Sequence, residues 1–156
     1  MNIVNIPSKS NHKDIQFKPK GCIVHAMGEF IEAGEEDYFA KEFLDLIGLS
    51  AHYLVTPSGV IIQCRELHEI AYHAKGANST NVGIEILVSG VHTYSTFTEA
   101  IKKPYMTTQQ ITAFDDLVKY LESKGISRNN YQRHSTISPG RKVDPGDGFQ
   151  SRIIKI

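Results

Sequence analysis

Apolar positions along this chain fall into two periods, and each period marks out elements. "GCIVHA" (21–26) is an unbroken apolar, β-branched run behind a glycine, and predicts a buried strand ending near His25. "EEDYFAKEFLDLIG" (35–48) places Phe39, Phe43, Leu44 and Ile47 at helical spacing. Acids in its first turn and Gly48 at its end are the expected helix punctuation. "HYLVTPSGVIIQC" (52–64) predicts two strands joined by a turn at Pro57 and Gly59. "NVGIEILV" (81–88) is another strand-like run, interrupted by Glu85. "TTQQITAFDDLVKYLESKG" (107–125) is the clearest helix: Thr107 or Thr108 caps it, Ile111, Phe114, Leu117, Val118 and Leu121 form one stripe, and Gly125 ends it. Strands interleaved with helices imply an α/β domain whose central sheet is covered on at least one face.

Composition narrows the function class. With 40% hydrophobic and 22% charged residues in 156, the chain reads as an ordinary globular protein, and no repeat or linker divides it, so a single domain over 1–156 is expected. Seventeen basic residues balance seventeen acidic ones, which argues against a nucleic-acid partner. No apolar run approaches the ~20 residues of a membrane span. "MNIVNIPSKSNHKD" lacks the charged start and apolar core of a secretory signal, so a cytoplasmic location is the expectation. A monomer is expected. Cys22 and Cys64 are too few for a disulfide scaffold and are expected to be buried thiols.

Seven histidines are a high share for this length. His25, at the end of an apolar strand, is by itself most simply a satisfied core residue. Near the C-terminus, "RHSTISPGRKVDPGDGF" (133–149) sets His134 and Asp144 among Pro139, Gly140, Pro145 and Gly146, which fix a backbone in turns. Catalytic zinc takes three protein ligands and keeps a position open for water, and His25, His134 and Asp144 would supply such a set. His25 lies far from the other two along the chain, so the fold must bring it there. Cys22 and His25 superficially form a metal-ligand pair, but residues three apart on a strand point to opposite faces. A thiolate nucleophile at either cysteine is disfavoured by the apolar runs around it. Glu85 has two readings: a solvent-facing acid on an edge strand, or a general base whose proton affinity partial burial raises. Lys142 is either a solvated surface lysine or a stabiliser of an oxyanion.

Four stretches carry a resemblance: "IVHAMG", "AHYLVTPSGVIIQ", "AYHAKGANSTNVGIEI" and "RHSTISPGRKVDPGDGF". In that order they resemble the successive motifs of the zinc-dependent N-acetylmuramoyl-L-alanine amidases, the amidase-2 family, over about residues 20–150. That family includes phage lysozyme-type amidases, bacterial cytoplasmic anhydromuropeptide amidases and peptidoglycan-recognition proteins. The resemblance implies a mixed central sheet flanked by helices and one catalytic zinc on His25, His134 and Asp144. It implies that Lys142 stabilises the tetrahedral intermediate, that Glu85 acts on the catalytic water, and that His73 and Asn78 line the substrate groove. Phage lysozyme-type members carry a tyrosine just before the position of His52. Here that position is Ala51, and Tyr53 faces away from His52, which strengthens Glu85 as the base. His52 is expected to pack beneath the site. His12, His68 and His92 match nothing and are expected at the surface.

The implied substrate is peptidoglycan or a muropeptide, cut between N-acetylmuramic acid and L-alanine. A phage endolysin and a cytoplasmic muropeptide-recycling amidase both fit, and a binding-only recognition module is the rival from another class. A general zinc peptidase would need a pattern such as H-E-x-x-H, which the chain lacks. Residues 90–107 lie between the Glu85 strand and the long helix, a place for substrate selectivity, but their own role is not legible.

Overall fold

Two parallel strands at the centre of one sheet carry the geometry that matters for function. The computed structural model describes residues 1–9, 17–28 and 36–156. Its six strands are β1 (Asn2–Asn5), β2 (Gly21–Met27), β3 (Tyr53–Val55), β4 (Val60–Gln63), β5 (Asn81–Leu87) and β6 (Tyr131–Arg133), in the spatial order β1-β4-β3-β5-β2-β6. All neighbours are parallel except β3 and β4, the antiparallel pair read from "HYLVTPSGVIIQC". Gly59 closes their turn at φ +83°, a conformation that costs glycine nothing. Parallel strands are covered on both faces and so read as continuous apolar runs; β2 is buried along its whole length and β5 from Val82 onward.

Helix α3 (Thr108–Ser123) covers one face. Thr107 caps it, its hydroxyl accepting the Gln110 N–H while the Gln110 side chain returns to the Thr107 N–H. The Gln110 amide also donates to the Val55 and Leu87 carbonyls, both at 2.8 Å, satisfying the ends of β3 and β5. Phe114, Leu117, Val118 and Leu121 pack on Cys22, Val24, Tyr53, Ile84 and Ile86. Truncating a buried aromatic such as Phe114 costs about 3–5 kcal/mol.

Helix α1 (Glu36–Leu46) covers the other face, with Ala40 and Leu44 over Met27, Leu54, Ile62 and Leu87. The Phe39 side chain, predicted in the stripe, lies outside what the structure describes. Ile47 falls beyond the helix and is 48% exposed, correcting its place in the predicted stripe. Both cysteines are buried and unpaired, and burial pushes each thiol up to about 12. Among the described residues, no helix is long and apolar enough to cross a membrane.

Among the described residues, five elements are not announced by the sequence pattern: β1, β6, α2 (Tyr94–Ala100), α4 (His134–Ile137) and a 3-10 turn at Arg128–Asn130. The strands are three or four residues long and mostly polar or exposed. Helix α2 buries no residue and rests on a Thr93–Thr96 capping box; α4 is a single turn.

Candidate metal centre and active-site pocket

His25 and Glu85 are register partners on the adjacent parallel strands β2 and β5. Side chains alternate along a strand, and α3 takes the faces of Cys22 and Val24 and of Val82, Ile84 and Ile86. The opposite faces therefore present His25, and Gly83, Glu85 and Leu87. His25 Nδ1 lies 3.9 Å from Glu85 Oε1. Glu85 is 8% exposed on an interior strand, which discards the edge-strand reading. Tyr53 is buried on the α3 face, and Ala51 packs in the α1-side core, so neither supplies a phenol to the site.

The C-terminal loop brings the other half. Strand β6 pairs with β2 through Cys22–Val24, and α4 starts at His134 directly after it. The chain then returns so that the Ser135 N–H donates to the Asp144 carbonyl at 2.9 Å. Gly140 and Gly146 take φ of +74° and +79°, conformations that favour glycine. The Arg133 guanidinium donates to the Gly146 carbonyl and to Asp147. Asp147 stays exposed to solvent while it takes this hydrogen bond. The Tyr105 hydroxyl donates to the Pro145 carbonyl at 3.0 Å.

These two halves converge on three atoms. His25 Nδ1 and His134 Nδ1 are 3.0 Å apart, His134 Nδ1 is 3.0 Å from Asp144 Oδ2, and His25 Nδ1 is 3.3 Å from the same oxygen. All three residues are buried. Three lone-pair-bearing atoms this close need a hydrogen or a cation between them. Ligands about 2.0–2.1 Å from a tetrahedral zinc are separated by roughly 3.3 Å, so donor types and spacing both fit that ion.

The electrostatics follow from the packing. Burial alone would raise the Asp144 carboxyl, but hydrogen bonding to His134 and His25, with their charge, holds it well below the usual carboxylate range. Burial lowers His25 against the pull of Asp144. Burial, and then the neighbouring His25 and His52, keep His73 neutral. His52 is fully buried beneath the site, accepting the Gly83 N–H at Nδ1 (3.0 Å) and donating from Nε2 to the Glu69 carbonyl (2.9 Å). Burial brings its pKa down to about 4.

A cavity of about 510 Å³ opens over the donors. His25, His73, Glu85, His134, Asp144 and the exposed Lys142 line it, and Phe43, Ile47, Leu49, Tyr94, Phe97 and Val143 add apolar wall. Gly28 lets that wall close in: a Cβ there would meet the Phe97 ring at 2.3 Å. Residues 92–97 therefore build one side of the pocket, the place the sequence left open for selectivity. His92 is half-buried on the pocket wall, bonded to the Ser89 carbonyl at 2.7 Å. His68 is exposed as expected, and His12 lies outside the described residues. Asn78 uses its side-chain oxygen on the His73 and Ala74 N–H groups at 3.0 and 2.7 Å. It braces a turn.

The family model of N-acetylmuramoyl-L-alanine amidase, amidase-2, matches residues 16–147. The chain belongs to that family. Three solved structures show how the fold recurs at low identity. A selenomethionine derivative of AmpD is 24% identical over 96% of this chain and 90% of that one, with a TM-score of 0.69. The N-acetylmuramoyl-L-alanine amidase LysC from Clostridium intestinale is 22% identical over 96% and 91%, with a TM-score of 0.71. The ectodomain complex of peptidoglycan recognition proteins LCa and LCx, bound to tracheal cytotoxin, matches at 18% over 96% and 92%, with a TM-score of 0.66. No curated protein sequence matches the chain. This amidase-2 member thus has the mixed sheet with flanking helices that its motifs implied.

Proposed function

We propose that this amidase-2 protein is a zinc-dependent hydrolase of the amide between the lactyl group of N-acetylmuramic acid and L-alanine, in peptidoglycan or its fragments. The observation that carries the reading is the meeting of His25, His134 and Asp144 with Glu85 and Lys142 in one pocket. His25, His134 and Asp144 would hold the zinc. A zinc ion there supplies Lewis-acid polarisation of a carbonyl and lowers the pKa of water toward ~7.

The protein's own groups do the rest. The Glu85 carboxylate, beside the donor set, accepts the proton of the attacking water and returns it to the leaving amine. The Lys142 ammonium, on the solvent side of the pocket, stabilises negative charge growing on the carbonyl oxygen. The apolar wall from α2 and from the end of α1 limits water around the scissile bond, which strengthens those charge interactions. A binding-only module, suggested by the likeness to the recognition proteins, would have no use for a complete donor set flanked by a base and a lysine.

For the physiological role we favour a lytic enzyme of the endolysin kind, held in the cytoplasm until a lysis system releases it. Intact murein sacculi and soluble anhydromuropeptide, each incubated with the protein with and without a chelator, test both levels of the reading. Cleavage abolished by the chelator and restored by zinc is the expected result, with sacculi among the substrates. Activity confined to the soluble fragment moves the role to recycling. Muropeptide bound but never cut overturns the enzyme reading.

A further inference from the structure

His25 and His134 face the same three-atom centre through Nδ1, yet their far sides differ. His134 Nε2 is buried with no hydrogen-bond partner among the described residues. His25 Nε2 lies 3.0 Å from His73 Nδ1, and His73 Nε2 lies 3.1 Å from the Asn81 carbonyl oxygen. A carbonyl can only accept, so the hydrogen of His73 sits on Nε2. A neutral imidazole carries one N–H, which leaves His73 Nδ1 a bare acceptor. The hydrogen between the two rings then belongs to His25 Nε2. His25 Nδ1 consequently keeps its lone pair, aimed at the point it shares with His134 Nδ1 and Asp144 Oδ2.

We infer that His73, anchored on the Asn81 carbonyl, is a positioning residue that fixes the tautomer and ring plane of His25 for metal ligation. The competitor is Asp144. With Oδ2 at 3.3 Å from His25 Nδ1, the carboxylate would draw the hydrogen onto Nδ1 if His73 offered no acceptor, and would so block the ligand atom. Two local features hold His73 to this task. Asn78 fixes its backbone, and Gly83 gives its ring room, since a Cβ at Gly83 would stand 2.5 Å from His73 Cγ. Glycine inside an otherwise apolar strand marks a place where another group comes close. The His25 and His73 ring planes are perpendicular with centroids 5.1 Å apart, and with 3.0 Å between the nitrogens the rings meet nitrogen to nitrogen, as one N–H pointing along the other ring's in-plane lone pair requires.

The inference rests on the metal-site reading above, but its first readout needs neither metal nor substrate. The full chain, metal-free and labelled with ¹⁵N-histidine, reports each ring's tautomer in long-range ¹H–¹⁵N correlation spectra. Expected in the wild type are protonated Nε2 and bare Nδ1 for both His25 and His73. His73→Phe keeps a ring and removes the acceptor. It should move the His25 hydrogen to Nδ1 and weaken zinc binding about 10–100-fold in chelator competition, the usual scale for a partner behind a metal-ligating histidine. His73→Asn, whose oxygen reaches near the position of Nδ1, should restore most of both. A wild-type His25 protonated at Nδ1 overturns the inference whatever the variants do. So does a His73→Phe protein with unchanged tautomer and zinc affinity. If that variant does not fold, the wild-type spectrum and His73→Asn decide. A wild type that binds no zinc overturns the metal reading, while its spectra still decide the tautomer.

Discussion

The two halves of the pocket are built by opposite means. His25 and Glu85 stand on adjacent parallel strands, placed by register and buried by the helices on both faces. His134, Lys142 and Asp144 hang on a loop with almost no regular structure after its first turn. Yet the loop is not soft. Ser135 ties back to Asp144, Arg133 clasps Gly146 and Asp147, and Tyr105 reaches Pro145 from another segment. In the strand half, backbone ladders fix the side chains and a further histidine, His73, tunes one of them. In the loop half, individual side chains fix the backbone. Loss of the groups that tune the first half should therefore show as altered chemistry or acid sensitivity, and loss of the groups that clasp the second as small, separable losses of order.

Removing the reacting groups gives the largest contrast. Glu85→Gln should lower turnover by about 10²–10⁴-fold, the scale of general acid–base catalysis, and keep the pocket's shape. Lys142→Ala should lower it by about 10²–10³-fold, the scale of one oxyanion donor. Since Lys142 is exposed, its removal should leave thermal stability unchanged. Steady-state kinetics on a muramoyl-peptide, with zinc content measured on the same samples, check both. Near-full activity with full zinc in either variant removes that residue from the mechanism.

Acid should separate the halves next. His52 has a folded pKa of about 4 against an ordinary 6.5. As pH falls through 6.5 the unfolded chain takes up a proton that the folded one refuses, so the unfolded state gains. The stabilising contribution of neutral His52 is fully present above 6.5 and is lost as pH falls toward 4, on the order of 3 kcal/mol at its full extent. His73 shifts in the same direction. Asp144 shifts down from 3.8, so its contribution is present above 3.8 and is lost only below it. The strand half thus weakens first on acidification and the loop half last. Urea unfolding at steps from neutral pH to pH 4 should show the loss, and His52→Gln should flatten it. A wild-type stability that stays level over that range contradicts the assignment.

The same division explains what was legible in the sequence. The strands and helices that fill the core were readable because burial writes a period into them: "GCIVHA", "NVGIEILV" and the stripe of α3 stand within a residue or two of β2, β5 and α3. The three donors and Lys142 were nameable from the family resemblance and from the turn residues around them. Their convergence was not, because it depends on β6 pairing with β2, and "YQR" is too short and too polar to announce a strand. Helix α2 was invisible for a related reason, because it buries no residue fully and only Phe97 and Ala100 pack on the core. His73 was singled out for the substrate groove, and it does line the pocket, but its ring is engaged with His25 and Asn81. The signal that could have led there is Gly83, a glycine in the middle of an apolar strand.

The smallest effect tests the clasp itself. Tyr105 is the only residue of the 90–107 segment whose side chain hydrogen-bonds to the metal-ligand loop among the bonds found in the described residues, and its phenol donates to the carbonyl next to Asp144. Burial, followed by the charge of Asp144, pushes that phenol well above its ordinary range, so the hydroxyl stays a donor at any working pH. Tyr105→Phe keeps the ring packed and removes one neutral hydrogen bond, which should cost about 0.5–1.5 kcal/mol and up to a few kcal/mol if the carbonyl is left buried and unpaired. Amide hydrogen exchange should report the loss as faster exchange at Ser135, whose N–H is held by the Asp144 carbonyl, with β5 unchanged. Equal acceleration in β5 would mean that the two halves yield as one unit, and the contrast between register-built and clasp-built halves would fail.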